Sequence, residues 1–221
     1  MNSKVVLISG ASSGIGEGTA LRFASLGCWL SLTARNIRAL NEVAEKCRAK
    51  GVPKDKVLVI KGDITSADDA TAIVKETAEY FGKIDILVNN AGISKPAPLG
   101  EIPLDEFDEV YNTNLRSAFN MTQQALPYLK KTKGHIVNVS SISSLRCVSG
   151  ATQSIATVCG SRWTVPRRCR GSGEAHAECS GSVCIETERS PSAAFSTLRP
   201  EVYLAPSDEL ETASVPAGSK Q

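Results

Sequence analysis

Along the first two thirds of the chain, apolar runs of strand length alternate with stretches whose apolar residues recur at helical spacing. The runs at residues 5–9, 29–33, 57–61, 84–89 and 135–140 are nearly continuous in apolar character, as strands covered by helices on both faces require. Helical patterns lie between them at residues 14–26, 37–50, 67–81 and 104–131. Ser66 precedes the third as an N-cap, with Asp69 three positions on. Pro103 opens the last at a first helical position, and that stretch is long enough for two helices. Repeated strand–helix–strand units with right-handed crossovers predict an α/β fold: a Rossmann-type, doubly wound parallel sheet. Ligands of such sheets sit beyond the carboxyl ends of the strands, near the point where strand order reverses. Function is therefore to be sought in the loops that follow the strands.

After Ser144 this pattern stops. Ser, Gly, Arg, Cys, Thr and Pro dominate, and no run of four strongly apolar residues occurs. Such a composition buries too little apolar surface to offset the chain entropy lost on folding. The expected organisation is thus a Rossmann domain over residues 1–145, its sheet incomplete, followed by a poorly ordered tail over residues 146–221. The strand at 135–140 would then be an apolar edge, and the domain only marginally stable alone.

Length and charge narrow the function classes. A chain of 221 residues with a formal charge of +2 is one domain's worth of core with no basic footprint, so no nucleic-acid partner is expected. No stretch approaches a membrane span, and the opening MNSKVVLISG carries too short an apolar run for a signal peptide, which leads to the expectation of a soluble, cytoplasmic protein with no membrane partner. Five of the seven cysteines (Cys147, Cys159, Cys169, Cys179 and Cys184) fall in the tail without CxxC spacing and with only His176 for company, so no metal site is expected. The arginine run in RWTVPRRCR reads as a solvated segment.

The chemistry lies at the strand ends. SGASSGIG follows the first strand and leads into a helix; glycines at 10, 14 and 16 let backbone N–H groups approach a pyrophosphate, and the helix N-terminus adds about half a unit of positive charge. The second strand ends in LTARN. An acidic residue there would hold the ribose 2′-hydroxyl of NAD, whereas Arg35 suits a 2′-phosphate, so NADP(H) is favoured over NAD(H). Asp63, in GDIT, either caps the following turn or accepts a hydrogen bond from an adenine amino group. Asn89, Asn90, Ala91 and Gly92 are short or tolerant of left-handed backbone, so a ligand can lie close against them.

With SGASSGIG, GDIT, LVNNAG, YNTNL and IVNVSS in this order and spacing, residues 3–145 resemble the short-chain dehydrogenase/reductase family. The resemblance implies a Rossmann sheet and reversible hydride transfer between a nicotinamide and a small-molecule alcohol or carbonyl. It implies that Gly10, Ser12, Ser13, Gly14, Ile15 and Gly16 form the pyrophosphate turn, with Ser9 replacing the usual threonine and keeping a hydroxyl. Arg35 becomes the 2′-phosphate partner and Asp63 an adenine contact. Asn90, Ala91 and Gly92 become the wall beside the nicotinamide ribose. Asn114 matches the family's catalytic asparagine, which holds a lysine and a water in a proton relay, and Ser141 matches the residue that hydrogen-bonds the substrate carbonyl. Taken alone, Asn114 reads as a helix-interior residue and Ser141 as a turn cap.

The resemblance also exposes a break. The family's tyrosine, followed four positions later by a lysine, should lie about a dozen residues past Ser141; the places hold Ser154 and Val158. No tyrosine lies between Tyr128 and Tyr203 and no lysine between Lys133 and Lys220. Free tyrosine titrates near 10, so its role as proton donor depends on a neighbouring ammonium and the cationic nicotinamide. Three readings follow: an impaired NADP(H)-dependent oxidoreductase, a nucleotide-binding pseudoenzyme, and a non-functional product whose tail is translated out of the original frame from near Leu145. The long helix before residue 135 is compatible with a homo-oligomer, although its usual partner helix is missing from the sequence.

Overall fold

The computed structural model describes residues 1–95 and 101–141. Expectations about the tail after residue 141, including the disorder assigned to residues 146–221 and the positions of Ser154 and Val158, lie outside the described residues.

The strands β1 (Val5–Ser9), β2 (Trp29–Ala34), β3 (Val57–Lys61), β4 (Ile86–Asn89) and β5 (His135–Asn138) form one parallel sheet in the order β3-β2-β1-β4-β5. Strand order reverses between β1 and β4, as a doubly wound sheet requires. The helices are α1 (Gly14–Ser25), α2 (Ile37–Ala49), α3 (Ala67–Phe81), α4 (Leu104–Tyr111) and α5 (Ser117–Thr132).

Side chains alternate across the sheet and so divide the core. Val6, Ile8, Leu30 and Leu32 pack with Ala20, Ala24, Leu40, Val43 and Cys47 of α1 and α2 on one face. Leu7, Ile60, Leu87 and Ile136 pack with Ile73, Val74, Met121, Ala125 and Leu129 of α3 and α5 on the other. Each fully buried aliphatic side chain contributes roughly 1.5–3 kcal/mol, and the strands are apolar in both directions because both faces are covered. One polar pair crosses the second core: the buried Thr77 hydroxyl donates to the Ile73 carbonyl at 2.8 Å, leaving Ser31 to donate to Thr77 Oγ1 at 2.7 Å.

Local chemistry explains the element ends. Asn36 and Ser66 cap α2 and α3, each side-chain oxygen accepting from an amide three residues on. Gly82 ends α3 in the left-handed conformation, φ +74°. Pro103 is extended and precedes α4 rather than beginning it. The two helices expected over 104–131 are not separated by a loop: Asn112–Arg116 forms a π-helical turn that joins α4 to α5, with Ser117 N–H donating to the Asn112 carbonyl. Pro127 lies inside α5 on its exposed side.

The fourth strand starts two residues later than its apolar pattern suggests, although Ile84 is fully buried. The Ile84 carbonyl accepts from Thr132 Oγ1 at 2.8 Å, and the Val5 amide, which strand pairing would direct to a main-chain carbonyl, donates to Asp85 Oδ2 at 2.9 Å. The fifth strand likewise ends at Asn138 rather than at residue 140, and it is the last strand of the sheet among the described residues.

Candidate functional site

The carboxyl ends of β1 and β4 meet through Ser9. Its buried hydroxyl donates to the Val88 carbonyl at 3.3 Å and accepts from the Asn90 and Ala91 amides at 3.0 and 3.2 Å. Keeping a hydroxyl at this position thus stitches the turn after β1 to the turn after β4. Asn90 reinforces the seam by donating Nδ2 to the Ser9 and Gly10 carbonyls at 3.0 and 3.1 Å.

The glycines of this turn divide into two kinds. A Cβ on Gly16 would lie 2.2 Å from the Gly10 carbonyl oxygen and 2.6 Å from Asn90 Nδ2, so Gly16 is required for close packing. Gly14 has φ +57° and no heavy atom within 4 Å of where a Cβ would stand. It lies with exposed Ser13 and Ile15 at the start of α1, where Ser13 makes no side-chain cap bond, unlike the caps of α2 and α3. An open glycine backbone and an uncapped helix N-terminus, with Ser12 half-buried beside them, fit a phosphate of a dinucleotide.

Arg35 and Asp63 stand at the carboxyl ends of β2 and β3, Arg35 exposed and its guanidinium 4.0 Å from Asp63 Oδ2. Asp63 Oδ1 accepts from the Thr65 amide at 3.0 Å and the Thr65 hydroxyl at 2.8 Å, so the residue does cap its turn. Those bonds, led by the Thr65 amide and helped by Arg35, hold its carboxyl below the usual carboxylate range against the opposing effect of burial. Oδ2 is the side of the carboxylate nearer Arg35.

On the other side of the switch, Asn114 projects from the π-helical turn onto the loop after β4. Its Oδ1 accepts from the Ile93 amide at 2.8 Å and its Nδ2 donates to the Ile93 carbonyl at 2.9 Å. A Cβ on Gly92 would come within 3.2 Å of the same Oδ1. Ser141, half-buried, follows β5 on this same edge of the sheet. Asn89 ties the two strands there, donating Nδ2 to Thr122 Oγ1 at 3.0 Å and to Asn138 Oδ1 at 2.9 Å.

The structure therefore gathers Gly10–Gly16, Arg35, Asp63, Asn90–Gly92, Asn114 and Ser141 at the carboxyl edge of one sheet. Sequence reading did not single out the reciprocal Asn114–Ile93 bond, nor the pairing of Lys95 with Glu109 across the same loop. It also passed over Asp85, which binds Lys4 at 2.7 Å and Lys83 at 3.2 Å at the opposite end of the sheet. A carboxylate inside the apolar run KIDILVN was the available signal for that last one. Among the described residues no cluster of His, Cys, Asp and Glu could hold a metal ion, and no helix is long and apolar enough to cross a membrane.

The fold and this edge define a Rossmann-type nucleotide-binding domain. A family model described as short chain dehydrogenase matches residues 4–155, and the chain belongs to that family of NAD(P)-using oxidoreductases. The match runs ten residues beyond the limit at 145 read from the motifs, and so across position 154.

Among curated relatives, "11-beta-hydroxysteroid dehydrogenase A" of Sesamum indicum is 44% identical over 142 residues, which is 64% of this chain and 40% of that one. "3-oxoacyl-[acyl-carrier-protein] reductase FabG" of Thermotoga maritima is 38% identical over 161 residues, 72% of this chain and 64% of that one. The chain thus spans well under half of the first relative and just under two thirds of the second. A solved 7α-hydroxysteroid dehydrogenase complexed with NADH and 7-oxo glycochenodeoxycholic acid aligns with TM-score 0.68 and 29% identity, covering 72% of this chain and 62% of that one.

Proposed function

We propose that this chain is an NADP(H)-dependent oxidoreductase acting on a small carbonyl or alcohol, impaired in hydride transfer by the missing tyrosine and lysine. The observation that carries this reading is the pairing, on one sheet edge, of an open glycine turn with Arg35 at the end of β2, where no carboxylate stands to hold a 2′-hydroxyl. The turn and the α1 N-terminus would hold the pyrophosphate, Arg35 the 2′-phosphate, and Asp63 Oδ2 the adenine amino group. Asn90, Ala91 and Gly92 would border the nicotinamide ribose. The bound dinucleotide would supply or accept the hydride.

Ser141 is the group to hold a substrate carbonyl oxygen. Ile93 engages one N–H and one lone pair of the Asn114 amide, which leaves a second N–H and a second lone pair that could hold a water. A positioned general acid contributes about 10²–10⁴ in rate, and that factor is what Ser154 and Val158 in place of tyrosine and lysine remove. The names of the relatives make ketosteroids and 3-oxoacyl thioesters suitable members of a substrate panel.

The same two substitutions favour a second reading, a pseudoenzyme that binds the nucleotide without turnover. NADPH thermal shift and a carbonyl-reduction assay on the full chain separate the readings. NADPH at a hundred times its Kd stabilises by about 2.7 kcal/mol and should raise Tm by roughly 5–10 °C. A shift with slow turnover supports the impaired enzyme, a shift with no turnover supports the pseudoenzyme, and no shift with no cooperative melt supports the non-functional product. Turnover at an ordinary enzyme's rate overturns the impairment.

A further inference from the structure

The loop after β4 is fastened to its surroundings at three successive places. Ser9 takes the amides of Asn90 and Ala91, Asn114 takes both main-chain groups of Ile93, and the Lys95 ammonium pairs with the Glu109 carboxylate of α4. The first two fastenings are hydrogen bonds to the backbone and hold the loop wherever its side chains point. The third is an ion pair between side chains, with Lys95 32% and Glu109 54% exposed.

Glu109 and Asn114 are five residues apart, a spacing that would turn them away from each other on a regular α-helix, where neighbours on one face are three or four apart. The π-helical turn over Asn112–Arg116 closes bonds between residues five apart, as Ser117 N–H to the Asn112 carbonyl shows, and takes up one extra residue. Both side chains bear on the same loop, Asn114 from this turn at Ile93 and Glu109 from α4 at Lys95, two residues further on. The bond from Glu109 holds Lys95 more firmly protonated than a free lysine against the opposing effect of burial, and Glu106 and Asp105, in the first turn of α4, add to it.

We propose that Lys95 and Glu109 are positioning residues for the nicotinamide half of the dinucleotide: their ion pair clamps the loop end so that Ala91 and Gly92 keep the place against which the nicotinamide ribose lies. This rests on the dinucleotide reading above and adds to it a residue pair that touches neither ligand nor reacting atoms. Arg35 and Asp63, which would hold the adenosine end, stand at the ends of β2 and β3, across the switch point from the clamp.

The test titrates the full-length chain and its variants with two probes, NADPH and adenosine 2′,5′-bisphosphate, which carries the 2′-phosphate but no nicotinamide. Lys95→Met and Glu109→Gln should each weaken NADPH about three- to fivefold, the upper part of the effect of one partly exposed ion pair, and leave the bisphosphate within a factor of two. Lys95→Arg, which keeps the cation facing Glu109, Glu106 and Asp105, should hold NADPH within about twofold of the parent. Unchanged NADPH affinity in Lys95→Met and Glu109→Gln, equal weakening of both probes, or a loss in Lys95→Arg as large as in Lys95→Met overturns the proposal while leaving the dinucleotide reading intact. Failure of the parent chain to bind either probe overturns the dinucleotide reading itself.

Discussion

Asn114 and Ile93 exchange two hydrogen bonds, the asparagine carbonyl oxygen accepting from the isoleucine amide at 2.8 Å and its Nδ2 donating to the same residue's carbonyl at 2.9 Å. One side chain thus substitutes for a strand partner and fixes a loop that has none. Asn114→Ala should cost about 1–3 kcal/mol in urea unfolding because it leaves both half-buried backbone groups without a partner. Asn114→Asp should cost a similar amount, since a carboxylate cannot donate to the Ile93 carbonyl.

Ser9 offers a cleaner test, being nearly fully buried. Ser9→Ala removes the acceptor of two amides and should destabilise by about 1–3 kcal/mol. Ser9→Thr supplies the same hydroxyl on a residue well suited to a strand and should recover most of that loss. Denaturant midpoints of the two variants check the difference.

Of the three glycines of α1, Gly16 and Gly18 should respond in opposite directions to the same substitution. Gly16→Ala sets a methyl group 2.2 Å from the Gly10 carbonyl oxygen, a backbone atom that cannot swing aside, and should lower Tm by several degrees. Gly18 lies inside the helix with nothing within 4 Å of a Cβ, and Gly18→Ala should stabilise by about 0.5–1 kcal/mol.

Asp85 governs the acid limb of stability. Burial pushes its carboxyl up, but the bonds from Lys4, the Val5 amide and Lys83 more than offset this and hold it below the ordinary carboxylate range. A carboxylate with a depressed native pKa contributes stability that is complete above its unfolded value, about 3.9, and is lost as pH falls through the native value. Asp85→Asn should therefore lose about 2–3 kcal/mol at pH 7, and the gap from the parent should narrow below about pH 4. Urea titrations at several pH values measure both.

Arg35 should decide between the two nicotinamide dinucleotides. On the proposed reading, Arg35→Ala would remove a charge-assisted contact to the 2′-phosphate and is expected to weaken NADPH about tenfold with little effect on NADH. Fluorescence titration with each dinucleotide gives the ratio, and equal weakening of both would separate Arg35 from the 2′-phosphate.

The sheet was legible from the chain because a parallel sheet covered on both faces needs strands apolar throughout, and β1 and β3 have the bounds that their apolar runs mark. The pattern misled at β4, where Ile84 is apolar and buried yet has its carbonyl diverted to Thr132. Hydrophobicity reports burial and is silent about which main-chain group pairs with which. The site residues were legible as motifs because a close backbone approach demands glycine and a strand end demands a cap. Their side-chain partners were not: Asn114 meets Ile93 from a π-helical turn and Glu109 meets Lys95 from the helix before it, and residue types in sequence carry no direct record of either meeting.

The position of β1 in the strand order also has a temporal side. Its partner β2 leaves the ribosome soon after it, but Asp85, whose carboxylate takes the Val5 amide, is 80 residues further along the chain. At translation rates of 5–20 residues per second, the edge of β1 that will receive β4 stands open for roughly 4–16 s. Through that interval an apolar, unpaired strand edge is available to any neighbouring nascent chain. The hazard ends when β4 docks, so the yield of this domain in a cell depends on elongation speed and chaperone cover over those residues as well as on the equilibrium stability of the finished sheet.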